Sequence, residues 1–161
     1  MFDSWGRGAS HSIRRFGVLA VLFTAALVVQ DQPAAARAKL QIISYDMGGD
    51  LGERIRIVER LRQNGTEVRI EGTCVSACTL YLGLPNSCVT AGAILGFHGP
   101  RMRTAGLPLP REDFDRLSAV MAGYYPRQIR QWFWSEARMV TQSYFTISGR
   151  QAAKMGARLC T

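Results

Sequence analysis

Beyond residue 38 the chain alternates short apolar runs with amphipathic stretches. Leu40 to Tyr45 (LQIISY) is brief, β-rich and mostly apolar, and it runs into Asp46-Met47-Gly48-Gly49. That pattern predicts a strand followed by a loop. Leu51, Ile55, Val58 and Leu61 recur at helical spacing until Asn64-Gly65, which predicts an amphipathic helix over Leu51 to Arg62. Glu67 to Glu71 (EVRIE) alternates as a strand, Gly72-Thr73 reads as a turn, and Ala77 to Gly83 suits a short apolar helix before Pro85-Asn86. Two further short strands, Cys88 to Thr90 and Ala93 to Phe97, end at His98-Gly99-Pro100. The order β-α-β-α-β predicts an α/β domain with a parallel sheet and right-handed crossovers.

A Gly- and Pro-containing loop, Gly99 to Pro110, leads to a helical C-terminal tail with helices over Glu112 to Met121 and Pro126 to Ala137. The second helix carries Trp132, Phe133 and Trp134. Three adjacent aromatics on a helix point in different directions, so they are expected to serve the core, with at least one available for an interface, rather than to stack on a ligand.

The first 38 residues stand apart. Arg7, Arg14 and Arg15 form a basic segment, Phe16 to Val29 is almost unbroken apolar chain, and Ala36-Arg37-Ala38 supplies an A-x-A cleavage site. As a helix the apolar run would span about 21 Å at ~1.5 Å per residue, short of the ~30 Å hydrocarbon core. The expected organisation is therefore a signal peptide, residues 1–38, and a single exported domain, residues 39–161, periplasmic or secreted. Contact with the membrane is expected only if the N-terminal segment stays uncleaved as an anchor.

The remaining 123 residues hold 16 Lys and Arg against 10 Asp and Glu, a net charge of +6. Arg54, Arg56, Arg60 and Arg62 alternate with apolar residues and with Glu53 and Glu59, as on a solvated helix face. No aromatic-interleaved basic stripe or zinc-finger spacing is present, so nucleic acid is not an expected partner. All four cysteines, Cys74, Cys78, Cys88 and Cys160, lie in the exported part, where an even count points to disulfides. A helix that returns antiparallel to its strand puts Cys78 near the carboxyl end of the sheet and Cys88 near the amino end. Those two are not expected to pair, and Cys74–Cys78 with Cys88–Cys160 is the expected connectivity.

Ligands of open parallel sheets bind at the carboxyl ends of the strands. Three polar clusters fall at such ends: Gly48-Gly49, Cys74 to Ser76, and His98. Ser76 stands where a strand gives way to an apolar helix. There it can cap the helix, or it can act as a nucleophile beside free amides that stabilise an oxyanion. The second role needs a base, and His98 is the only histidine after the signal segment, which contains His11.

The order GG, helix, G-x-C-x-S-A-C, then a strand ending LGFH resembles the Clp protease proteolytic subunit and its exported relatives in the crotonase-like superfamily. The late segment SGRQAAKMGARL is also similar to that family's helix before its last core strand. The resemblance covers about Leu40 to Leu159 and implies repeated β-α units. With only the signal segment before Leu40, the expected fold lacks the family's N-terminal unit. Carried over by position, the resemblance implies Ser76 as nucleophile, His98 as base 22 residues later, and the amides of Gly49 and Ala77 as the oxyanion hole. It implies a serine hydrolase of the peptidase kind, acting on a peptide or acyl substrate, with no cofactor and no metal, and it allows a homo-oligomer. Met47 replaces the proline of the family's SPGG motif. No carboxylate stands where the acid that orients the histidine belongs; Tyr144 or Ser143 does, while Glu112, Asp113, Asp115 and Glu136 lie elsewhere in the tail without a spacing that selects one.

Two other readings use the same residues. Cys74, Cys78, Cys88 and His98 follow a C-x3-C-x9-C-x9-H order that zinc accepts, although oxidised cysteines and the separation of Cys88 from His98 along the strand weigh against it. A catalytically inactive peptide-binding module of the same fold needs only the missing acid and the missing N-terminal portion to be decisive. Export has its own check: intact mass of the protein from its native host is expected to begin at Lys39, and full-length cytosolic protein would contradict it.

Overall fold

In the computed structural model, residues 39–102 and 107–161 are described; residues 1–38, the expected signal peptide, and part of the Gly99 to Pro110 loop lie outside them. The domain is mixed α/β with a mostly parallel sheet. Strand β1 (Leu40–Asp46) is followed by helix α1 (Leu51–Gln63), then β2 (Glu67–Val75), a 3-10 helix (Ser76–Gly83), β3 (Ser87–Val89) and β4 (Ile94–Phe97). Helices α2 (Arg111–Gly123) and α3 (Arg127–Ser135) form the tail, followed by a 3-10 turn (Ala137–Met139), β5 (Phe145–Ser148) and α4 (Gly149–Lys154).

The sheet runs β1-β2-β4-β5, with β3 also on β2. β3 pairs with Val68 to Ile70 and β4 with Thr73 to Val75, so these two behave as one strand interrupted by the turn at Thr90 to Ala93. All pairings of β1 to β4 are parallel, but β5 runs antiparallel to β4, a departure from the all-parallel expectation. FTIS is too short to stand out as a strand without its partner. The last strand implied by the late segment is reduced to a single parallel bridge between Val89 and Leu159.

One face of the sheet, carrying Ile43, Val68, Ile70 and Leu95, is buried in one core with Val58 of α1, Leu80 of the 3-10 helix, Met121 of α2 and Phe133 of α3. Leu40, Ile42 and Ile94 are about half exposed; by the two-residue period of strands they lie on the other face. The aromatic run divides as its helical positions require. Phe133 is buried, Trp132 packs edge-on against Phe97 and Phe145, and Trp134 lies on the surface beneath Arg138.

Gly72-Thr73 is not a turn. β2 continues to Val75, and the register against β1 slips by one residue between Ile43 and Tyr45. This β-bulge needs glycine, because a Cβ on Gly72 would lie 1.9 Å from the Ser44 carbonyl oxygen. Its consequence is a change of face along β1. Ile43 points into the core, Tyr45 is 74% exposed, and Asp46, not Tyr45, faces inward beside Cys74.

Both disulfides match the expected connectivity, Cys74–Cys78 with Cα atoms 5.3 Å apart and Cys88–Cys160 at 5.0 Å. Two disulfides suit an oxidising, exported environment. Among the described residues no helix is long and apolar enough to cross a membrane. Cys88–Cys160 joins residues 72 apart, and closing a loop of that length stabilises by about 4 kcal/mol in chain-entropy terms. Replacing both Cys88 and Cys160 by Ala is expected to lower the unfolding free energy by about that amount, measured by guanidinium denaturation with Cys74–Cys78 intact.

Candidate active site

Adjacent strands lie about 4.8 Å apart, so the residues that follow the ends of neighbouring parallel strands fall side by side. Val75 at the end of β2 pairs with Gly96 of β4, and Asp46 at the end of β1 pairs with Cys74. Ser76, His98 and the loop Met47 to Gly49 therefore converge on one edge of the sheet. The geometry there is close: His98 Nε2 lies 2.7 Å from Ser76 Oγ.

Ser76 is not a helix cap. The 3-10 helix begins at Ser76 itself after an extended Val75, with no side-chain cap. The serine adopts φ 61°, the only positive φ of a non-glycine residue among those described. Left-handed backbone at such a residue is strained. It turns the chain sharply away from β2 and leaves the hydroxyl at the strand end, facing the cleft. The segment Ser76 to Gly83, anticipated as an ordinary apolar helix from Ala77, is wound more tightly than expected. The Cys74–Cys78 bridge spans Ser76 and fastens the strand to the first turn of this helix.

His98 is 4% exposed. Its Nδ1 lies 2.6 Å from the Gly99 carbonyl oxygen. A carbonyl can only accept, so Nδ1 carries the proton and Nε2 is left to accept from the Ser76 hydroxyl. The backbone carbonyl thus stands where the sequence offered no carboxylate. The four acids of the tail do not reach the imidazole: Asp115 pairs with Arg138, Asp113 with Arg116, and Glu136 accepts from Trp132, while Glu112 lies on the first turn of α2. Tyr144 packs its ring 5.3 Å from the imidazole, and its hydroxyl faces Arg101. Burial of the ring is the main cause that holds the His98 pKa below 6.5; the Gly99 hydrogen bond acts in the opposite direction and the charge of Arg101 in the same one.

Gly48 and Gly49 both have positive φ, 95° and 118°. A Cβ on Gly48 would lie 2.6 Å from Ser76 Cβ and 2.9 Å from both Ser76 Oγ and the Ala77 nitrogen, so the loop packs directly on the serine only because this residue is glycine. Gly49 and Ala77 line a cleft of about 870 Å³ with Ser76 and His98. Its other walls include Met47, Leu51, Leu109, Leu117, Met121 and Gln142.

The arginines of α1 do not all lie on a solvated face. Arg54 is 8% exposed, not part of a solvated face. Its Nη2 lies 2.7 Å from Asp46 Oδ2 and donates to the Gly48 carbonyl at 2.9 Å, and its Nη1 donates to the buried Tyr81 hydroxyl. The spacing held a signal for this. Arg54 stands three residues after Leu51 and four before Val58, on the apolar face of the helix. The Cys74, Cys78, Cys88 and His98 set is not assembled, since Cys88 is bonded to Cys160. No protein-family model and no curated protein matches the chain.

Because His98 is the only histidine of residues 39–161, its imidazole proton resonances can be followed alone. They are expected to titrate below pH 6.5. The unfolded state binds this proton near pH 6.5 and the folded state only at lower pH, so the associated stability is complete above about pH 6.5 and falls as pH drops through the folded pKa. Urea unfolding at a series of pH values is expected to lose this component in His98→Gln.

Proposed function

We propose that this protein is an exported serine hydrolase of the Clp-protease/crotonase-like kind, acting on a peptide or acyl substrate. The observation that carries the reading is the 2.7 Å contact between Ser76 Oγ and His98 Nε2, with the serine in a left-handed turn at the end of a strand. A strand-to-helix turn of this sort exposes a nucleophile above a sheet. The tautomer fixed by Gly99 leaves Nε2 ready to accept the hydroxyl proton.

In this mechanism Ser76 Oγ attacks the substrate carbonyl carbon as its proton passes to His98 Nε2. The carbonyl oxygen becomes an oxyanion that accepts from the Gly49 and Ala77 amides. Collapse of the tetrahedral species breaks the bond to the leaving group, which takes the proton from His98, and an acyl-serine remains. Water, deprotonated by the same imidazole, then releases the acid and restores the hydroxyl. The Gly99 carbonyl fixes the tautomer but brings no negative charge to stabilise the imidazolium, so turnover is slow.

The absence of a carboxylate at Nδ1 favours a second reading, in which the same cleft binds a peptide without cleaving it. A fluorophosphonate probe separates the two. Slow labelling of the oxidised wild type is expected, with none in Ser76→Ala and a rate at least about 100-fold lower in His98→Ala. Equal labelling of wild type and Ser76→Ala rejects the nucleophile, and no labelling of folded wild type favours the binding module.

A further inference from the structure

A backbone amide is aimed by whatever holds the carbonyl of the same peptide, because the C=O and N–H of a trans peptide point in opposite directions within one plane. Both amides assigned to the oxyanion belong to peptides whose carbonyls are held by buried side chains. The Gly48 carbonyl accepts from Arg54 Nη2 at 2.9 Å, and this directs the Gly49 N–H away from α1. The Ser76 carbonyl accepts from Thr79 Oγ1 at 2.7 Å, and this directs the Ala77 N–H away from Thr79. Both residues line the cleft, and neither amide has a backbone acceptor among the described residues.

Each clamp is itself held. Asp46 meets the Arg54 guanidinium through both oxygens, at 2.7 and 2.9 Å, and its Oδ1 also accepts from the Gly48 N–H at 2.8 Å. Gly48 is thus fixed at both of its backbone polar groups by one ion pair. The Tyr81 ring lies 4.8 Å from the guanidinium on a further side. At the second clamp, Thr79 Oγ1 spends its single hydrogen on the Ser76 carbonyl, so the Tyr125 hydroxyl, 2.9 Å away, must donate to Thr79. Thr79 is fully buried and Tyr125 nearly so, and burial raises the Tyr125 pKa, which keeps that donor protonated.

We infer that Arg54, with Asp46, and Thr79, with Tyr125, are positioning residues that aim the Gly49 and Ala77 amides into the cleft beside Ser76. As an account of catalysis this rests on the hydrolase reading; as an account of amide direction it does not. Thr79→Val keeps the shape of a buried side chain and removes only the hydroxyl. Arg54→Lys keeps the charge opposite Asp46 but cannot reach Gly48 and Tyr81 together.

The test uses the oxidised domain, residues 39–161 behind its native leader, with the fluorophosphonate probe and with amide NMR. Each variant is expected to lower the saturating labelling rate about 100-fold, the loss typical of one oxyanion donor. The half-saturating probe concentration and the pH inflection set by His98 should stay unchanged, which a general loss of structure would not allow. In a Ser76→Ala background, Thr79→Val should shift the Ala77 amide resonance and spare Gly49, and Arg54→Lys should do the reverse. Folded variants that label within twofold of wild type, or whose Gly49 and Ala77 resonances do not move, overturn the proposal. Should Arg54→Lys not fold, Thr79→Val alone decides it. The labelling criterion applies where the wild type labels; if the wild type never labels, selective amide shifts of the two variants in the Ser76→Ala background would support the aiming of the amides and remove the hydrolase reading instead.

Discussion

A strand can present a side chain to a cleft beyond its own end only if the chain turns away at once, and at Val75-Ser76 that turn is made by a non-glycine residue at φ 61°. Left-handed backbone at such a residue costs about 1–2 kcal/mol. The surrounding structure must therefore hold it. Thr79 fixes the Ser76 carbonyl, the Cys74–Cys78 bridge ties the residues on either side, and the Gly48 loop packs on the serine without a Cβ between them. These restraints share one effect. They fix the peptides around a single hydroxyl rather than the hydroxyl itself, which is left to His98.

The other half of the cleft depends on the ion pair between buried Arg54 and partly buried Asp46. Arg54 is buried and Asp46 is 20% exposed, so desolvation opposes folding mainly at the guanidinium; the pair contributes only if its remaining hydrogen-bonding groups are satisfied. Here the Gly48 carbonyl, the Gly48 N–H and the Tyr81 hydroxyl satisfy many of them. Loss of Asp46 would strand the buried guanidinium, the arrangement that makes breaking a buried pair strongly destabilising. A chain that needed only stability could place apolar side chains here. The retained pair fits a demand for a loop held in one orientation.

The fold makes this ion pair available through a one-residue irregularity. Without the bulge at Gly72, the inward-facing residue at the end of β1 would be Tyr45, and Asp46 would face solvent. Gly72 is thus connected to the site although it lies outside the cleft. The interruption between β3 and β4 has a related effect. Ile94 to Gly96 of β4 pair only with the last three residues of β2, Thr73 to Val75, and this brings His98 to the same edge as Ser76.

Local pattern was enough to read the order of strands and helices from Leu40 to Phe97, the convergence of three strand ends that brings Ser76 and His98 together, and the two disulfide pairs, because periodicity and cysteine spacing act over a few residues and the topology of a β-α-β unit is narrow. The sequence also carried, on the apolar face of α1, the position that buries Arg54, though four alternating arginines hid it among solvated ones. Register was not legible: nothing in EVRIEGTCV distinguishes a turn from a bulge until β1 lies against it and the Ser44 carbonyl meets Gly72. The short antiparallel β5 likewise exists only as a partner of β4. The orienting group of His98 was also undecided, since a missing carboxylate leaves several substitutes, and only the path of the chain after Phe97 turns the Gly99 carbonyl onto Nδ1. Residue types fixed which chemistry was available; the packing of distant segments decided which backbone groups face it, because hydrogen bonds and close approaches between strands depend on distances that spacing along the chain does not set.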